Sequence, residues 1–437
     1  MTALSWKRPA YCCSITNGVQ VPGAVSQSLR VISASALSEN YLSSSVPRAI
    51  HTLSERPHPN CHGFSKGWAE ERNQARQSVK SWRCSPGSYL ANESKVAGGG
   101  LRTLIVGIGA LGGLIAARLR AAGSPVWLAT RNAESAAGLK ASGLRVTGVG
   151  GAVSVETVEV APLDEYLTGS RFDLIVLATK AHDAIEVASQ LSGLLEPGGT
   201  LLPIQNGGVP QMLGDRLGEC VLGGLSNLGA TMTEPGIYEQ RNAGHLLIGE
   251  LAGGESERAE RVRQWLGRAV ELRVTPNLRG AVWSKLLLNC SVTTLGAVAG
   301  GTMREYITSS EGREVFEQAY DEALSVALAS GARPERMIVE PIPPARSGRS
   351  VPSEEYDAWL DQILKGYGDV RPSMLQDIER GRITEIDFIN GYVVSIAPQF
   401  NVHTPVNAAI VETVHAITRG QLAPDPSLLE LILQASQ

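Results

Sequence analysis

Thr103-Leu104-Ile105-Val106-Gly107-Ile108-Gly109-Ala110-Leu111-Gly112 is the stretch on which the fold turns. The apolar, β-branched run Thr103–Ile108 reads as a buried strand, and it leads into the spacing G-x-G-x-x-G. Across Leu111–Ala122 the apolar positions recur at helical period. Each glycine has a physical task in such a turn. Gly107 permits the tight bend, Gly109 lets the backbone approach a pyrophosphate, and Gly112 lets helix and strand pack closely. The helix N-terminus adds N–H donors and a positive dipole, so Gly107, Ile108, Gly109, Ala110, Leu111 and Gly112 together make a phosphate cradle. A second strand, Val126–Thr130, follows at the distance a βαβ unit requires. A lone glycine pattern is a weak signal; strand, turn, helix and second strand in agreement make a strong one.

Working outward, short apolar runs at Phe172–Thr179, Thr200–Gln205 and Val221–Ser226 alternate with helix-period segments such as Ala181–Leu195. Strands that are apolar almost throughout, separated by helices, imply a parallel sheet covered on both faces. After about Pro276 the strand signals stop, and Ala281–Val298, Glu314–Ser330, Glu354–Leu364 and Glu385–Ile396 read as helices. The expected fold is therefore an α/β Rossmann domain over 101–275 followed by an all-α domain over 276–437. Glu340–Pro352, rich in Pro, Arg and Ser, reads as a surface loop.

Cofactor choice is read at the end of the second strand. Chains that bind NAD usually place an acid there to hold the ribose hydroxyls. Here the residues are Ala129-Thr130-Arg131-Asn132, one guanidinium and no acid. An acid would repel a 2′-phosphate, whereas Arg131 can pair with it, so NADPH is the expected cofactor.

Three further segments carry the chemistry. Ile204-Gln205-Asn206-Gly207-Gly208 follows a buried strand, and Trp283-Ser284-Lys285-Leu286-Leu287-Leu288-Asn289 lies at the start of the helical domain. Ser373-Met374-Leu375-Gln376-Asp377 shortly precedes Thr384-Glu385-Ile386-Asp387-Phe388-Ile389-Asn390-Gly391. Lys285 and Asn289, four apart, share one helical face and can look into one cleft. Hydride transfer to a ketone generates alkoxide charge, which a cationic donor stabilises and then protonates. Taken alone, Lys285 also fits a snorkelling lysine and Glu385 a charge complementing a helix dipole; the joint pattern favours a site. Trp283 reads as packing.

With the glycine turn, these motifs resemble the ketopantoate reductases (2-dehydropantoate 2-reductases) across essentially all of 101–437. The resemblance implies a helical domain like the C-terminal domain of 6-phosphogluconate dehydrogenase, and reduction of 2-dehydropantoate to (R)-pantoate on the route to pantothenate and coenzyme A. It implies roles residue by residue. Lys285 would be the general acid, and Glu385 would orient it and accept a hydrogen bond from a substrate hydroxyl. Asn206, Asn289 and Ser373 would hold the substrate's polar groups, while Lys180 and Asn206 would reach the cofactor. Two positions where many of these reductases carry further asparagines are Thr293 and Met303 here; Thr293 keeps a shorter donor and Met303 none. A reductase of another 2-oxo acid is the first alternative. A catalytically silent NADP-binding regulatory protein is the second, and the joint presence of Lys285, Asn289 and Glu385 argues against it.

Composition frames these readings. Residues 1–100 hold 11 Lys and Arg against five Asp and Glu, and the rest of the chain 28 against 38. An acidic body argues against a nucleic-acid partner. No run of 18 or more consecutive apolar residues is present, so no membrane span is expected. Met1–Ser38 lacks any acid and is rich in serine, which fits an organelle transit peptide, plastid favoured over mitochondrion; a disordered tail with a cytoplasmic protein is the alternative. Cys220 and Cys290 lie in apolar runs with no His or Cys at ligand spacing, so buried thiols and no metal are expected. The expected partner is a small 2-oxo acid, and a homodimer is compatible with the reading.

Overall fold

The computed structural model describes residues 100–345 and 353–436. The expected leader, Gly100 apart, and the centre of the Glu340–Pro352 loop lie outside the described residues.

Among the described residues the strands, in chain order, are β1 (Thr103–Val106), β2 (Val126–Thr130), β3 (Leu144–Gly148), β4 (Val153–Val155), β5 (Glu159–Pro162) and β6 (Phe172–Leu177). They continue as β7 (Leu195–Pro203), β8 (Gly223–Ser226), β9 (Ala230–Glu234), β10 (Ile237–Gln240), β11 (Leu246–Gly249) and β12 (Leu272–Val274). The central sheet runs β5-β2-β1-β6-β7, with every pair parallel. β1 is buried along its whole length, as a strand covered on both faces must be. The chain builds outward from β1 on one side and then returns to its other side with β6. Ligands of such sheets bind at that reversal, beyond the carboxyl ends of the strands. The glycine turn, Arg131, Lys180 and Asn206 all follow carboxyl ends: of β1, β2, β6 and β7.

Two small sheets stand beside the parallel one, ordered β4-β3-β10-β9 and β12-β11-β8. They correct the expectation of a purely parallel domain. Val221–Ser226 was expected to extend the main sheet; instead Val221 makes one parallel bridge to Leu201, and β8 then pairs antiparallel with β11. The departure falls at Gly223-Gly224, where a Cβ on Gly224 would lie 2.6 Å from the Pro203 carbonyl oxygen.

Past β12 the fold is helical. Leu278–Leu288 continues through a π-turn, Asn289–Thr293, into Thr294–Ala299, so the expected single helix carries one irregular turn. This segment is long and apolar enough to cross a membrane, yet 89% of its apolar window is buried inside the fold. It packs with Ser310–Ala329, Pro405–Thr418 and Leu428–Ala435 around a core that includes Trp283, Phe316, Tyr320, Trp359, Ile410 and Leu429. Glu385–Ile396, expected as one helix, is a 3-10 turn (Ile386–Phe388) and a helix (Asn390–Ile396) separated by Ile389 at φ −105°, ψ −96°. The break leaves the Phe388 carbonyl free to accept from Gly208 N at 2.9 Å.

Candidate active site

The cradle at the end of β1 has the shape a dinucleotide needs. Gly107 sits at φ +92°, where a Cβ would meet the Thr179 backbone nitrogen at 2.6 Å. A Cβ on Gly112 would lie 2.0 Å from the Gly107 carbonyl oxygen, so helix and turn touch backbone to backbone. Beside Gly109, by contrast, there is nothing within 4 Å of the Cβ position. No side chain caps the N-terminus of helix Ala110–Ala121, and no acid stands in its first turn. Around this mouth Thr179 Oγ1, His182 Nδ1 and Gln205 Oε1 are buried without hydrogen-bond partners. Open backbone, an uncapped helix N-terminus and orphaned polar atoms fit a phosphate-bearing cofactor, with Ile108, Ala110 and Leu111 completing the cradle.

Arg131 is 78% exposed and donates through Nη2 to Asp183 Oδ2 at 2.7 Å. The sequence has no acid at the end of β2. The fold brings one there from the helix Ala181–Ser192, which starts after β6. Spatial neighbourhood alone supplies it; no spacing signals it.

Below the cradle lies a cleft of about 550 Å³ between the sheet's carboxyl edge and the helical domain. Asn206, Lys285, Asn289, Thr293, Ser373 and Glu385 all line it, so the fold brings the expected substrate set together. Lys285 Nζ donates to Asn206 Oδ1 at 2.9 Å and to the Ser226 carbonyl at the end of β8. Burial pulls the lysine down to about 8, opposed by the charge of Glu385. Glu385 was expected to orient Lys285, and the structure gives it a further partner. Its Oε1 accepts from Ala181 N at 3.2 Å, at the N-terminus of helix Ala181–Ser192, and it acts on the lysine through its field. Lys180 likewise turns to the helical domain, its Nζ 2.8 Å from Asp377 Oδ2.

The π-turn shapes the floor. Asn289 is almost wholly buried at its start, and Thr293 Oγ1 donates back to the Asn289 carbonyl at 3.0 Å. The hydroxyl's hydrogen is thereby committed, and what Thr293 offers the cleft is an acceptor and a methyl group. The Cys290 carbonyl accepts from Asn390 Nδ2 at 3.1 Å and from Thr294 Oγ1 at 2.6 Å. Met303 does not face the cleft: it is 1% exposed within the helical core, so its difference from asparagine belongs to packing. Cys290 is buried, which pushes its thiol up, whereas Cys220 is only partly buried, against expectation. Asp377, Asp183 and Asn390 are site-supporting residues that sequence reading left without a role. Asp377 and Asn390 stood inside quoted motifs, which was the available signal.

A Rossmann sheet joined to a helical domain, with lysine, asparagines, serine and a carboxylate in the cleft between them, defines a two-domain class of reductase folds. The family descriptions "Ketopantoate reductase PanE/ApbA" and "Ketopantoate reductase PanE/ApbA C terminal" match residues 103–253 and 277–418. A 2-dehydropantoate 2-reductase from Pyrococcus abyssi is 30% identical over 313 residues, covering 70% of this chain and 94% of that protein. One from Pyrococcus horikoshii is 29% identical over 322 residues, 72% of this chain and 97% of that protein. Among solved structures, a PanE/ApbA family ketopantoate reductase from Ralstonia eutropha aligns at TM-score 0.60 and 23% identity, covering 73% of this chain and 99% of that one. D-mandelate dehydrogenase in a ternary structure with NADH and anilino(oxo)acetate aligns at TM-score 0.61 and 22% identity, covering the same shares. The chain belongs to the ketopantoate reductase family.

Proposed function

We propose that this protein reduces 2-dehydropantoate to (R)-pantoate with NADPH, a step toward pantothenate. The observation that carries the reading is Lys285, a half-buried ammonium held by Asn206 and the Ser226 carbonyl in a cleft that Asn289, Ser373 and Glu385 also line. The dinucleotide, when bound, supplies the hydride. Lys285 stabilises the charge that grows on the ketone oxygen and delivers the proton to it. Asn206 keeps Nζ aimed by accepting one of its hydrogens, which leaves another for the substrate oxygen. Asn289 and Ser373 offer donors to the substrate carboxylate and hydroxyl. Arg131 would pair with the 2′-phosphate, and the Gly107–Gly112 turn would take the pyrophosphate.

A panel assay with the full chain tests this: NADPH and NADH, each with 2-dehydropantoate and with other 2-oxo acids. The expected result is the highest kcat/KM with NADPH and 2-dehydropantoate. Preference for NADH, or for an oxo acid lacking the hydroxyl, would defeat the corresponding half. A second reading, a reductase of bulkier 2-oxo acids, draws on the cleft's apolar wall of Met337, Ile338, Tyr367 and Val370. The same panel decides between them.

The acid-free Met1–Ser38 segment supports import into an organelle, a plastid in preference to a mitochondrion. A fluorescent reporter fused behind residues 1–100 is expected to enter it; a cytosolic signal overturns the targeting.

A further inference from the structure

We propose that Asp183 is a cofactor-specificity residue whose carboxylate, held beside Arg131, weakens this chain's preference for a 2′-phosphorylated dinucleotide. The inference rests on the dinucleotide reading above and adds to it a residue that opposes the phosphate.

Arg131 follows β2 and Asp183 opens the helix after β6, and these two strands flank β1 on opposite sides. Their 2.7 Å ion pair therefore joins segments that follow the carboxyl ends of the strands on either side of β1. In sheets of this kind an acid near the end of the second strand holds ribose hydroxyls and repels a 2′-phosphate. This chain has no acid in that strand's own sequence, yet the neighbouring helix delivers one onto the guanidinium that would take the phosphate.

Both oxygens of the carboxylate are engaged. Oδ2 accepts from Arg131 Nη2, and Oδ1 stands 3.2 Å from His182 Nε2. Asp183 is 24% exposed, against 78% for Arg131, so the acid is the enclosed member of the pair and the arginine the open one. A phosphate dianion can still reach the guanidinium, because a single nitrogen is committed and the other N–H groups remain available. It must then sit beside a carboxylate. Repulsion between that dianion and a carboxylate about 6 Å away across an exposed guanidinium, screened nearly as in water, is worth on the order of tenfold in affinity.

Calorimetric titration of the full chain with 2′,5′-ADP and with 5′-ADP reads this without turnover. The unmodified chain is expected to favour 2′,5′-ADP by less than about tenfold. Asp183→Asn, and independently Asp183→Ala, should tighten 2′,5′-ADP by roughly tenfold and leave 5′-ADP within about threefold. Unchanged or weakened 2′,5′-ADP binding in both variants, with the unmodified chain binding both nucleotides, overturns the role of Asp183 alone. It would mean that the acid pre-sets Arg131 or does not sense the phosphate. If the unmodified chain binds neither nucleotide, the dinucleotide reading falls and this proposal falls with it.

Discussion

Lys285 is the residue whose chemistry and stability pull in opposite directions. Its folded value of about 8 lies below the ordinary 10.5, so between those values the folded state binds fewer protons than the unfolded one. Stability therefore rises with pH across that window, and below it the charged form is a standing cost. Lys285→Met is expected to raise the unfolding free energy by about 1–2 kcal/mol at pH 7, the gain being limited by the partners left at Asn206 and Ser226. Urea unfolding measures it, and a less stable variant would contradict the burial account. The same substitution should lower kcat by roughly 10²–10⁴-fold, since the proposed proton donor is gone. Turnover in the parent should fall as pH rises through about 8, because only the protonated lysine can act. Glu385 raises that value by its charge, so Glu385→Gln, which can still accept from Ala181 N, should move the descending limb to lower pH. A pH profile that stays in place would show that the field of Glu385 does not reach the lysine.

Among the elements, the π-turn Asn289–Thr293 is the one that sets the cleft's floor. A π-turn inserts one extra residue into a helix and is seldom formed without external partners. Here Asn390 supplies one through the Cys290 carbonyl, and Asn390 is itself held by Asn407, whose Nδ2 donates to Glu322. Asn390→Ala should cost about 1–3 kcal/mol in stability and raise KM for the oxo acid more than it lowers kcat. A purely thermodynamic effect with unaltered KM would separate the turn from the site. Met303→Asn is expected to lower stability by roughly 1–3 kcal/mol, by burying an amide in an apolar core, and to leave the ranking of substrates as it was; a changed ranking would place that position at the substrate after all. These elements also show what a sequence can reveal. Thr103–Gly112 was legible because strand, turn and helix are all declared within ten residues by spacing and burial. β3, β10 and β11 were not: each is short, and each pairs with strands distant in the chain, as β3 does with β10. The lysine and asparagine faces followed from helical period, whereas the π-turn and the Asp183–Arg131 contact depend on tertiary neighbours that no local pattern encodes.

For the molecule as a whole, one stretch of the helical domain, residues 377–392, fastens it to the sheet. Asp377 takes Lys180, Glu385 takes Ala181 N, the Phe388 carbonyl takes Gly208 N, and the Tyr392 ring fills the space that a Cβ on Gly208 would need. Asp377, Glu385 and Ile389 of this stretch also line the cleft that holds Lys285, so the ties and the cleft share a wall. Away from them, the apolar cores gather around Phe316 and Trp359 in the helical half and, in the sheet half, around Leu114 and Tyr238 and around Phe172 and Leu213, the last cluster also taking in Phe388. That arrangement bears on how the protein melts. Cores joined at such a junction unfold as one only while the junction outlasts them. Scanning calorimetry should give a single sharp transition for the parent and two resolved ones for Asp377→Ala combined with Glu385→Ala. One transition, merely shifted, would mean that the apolar contact of Leu225 with Leu278 and Val282 suffices to transmit unfolding from one half to the other.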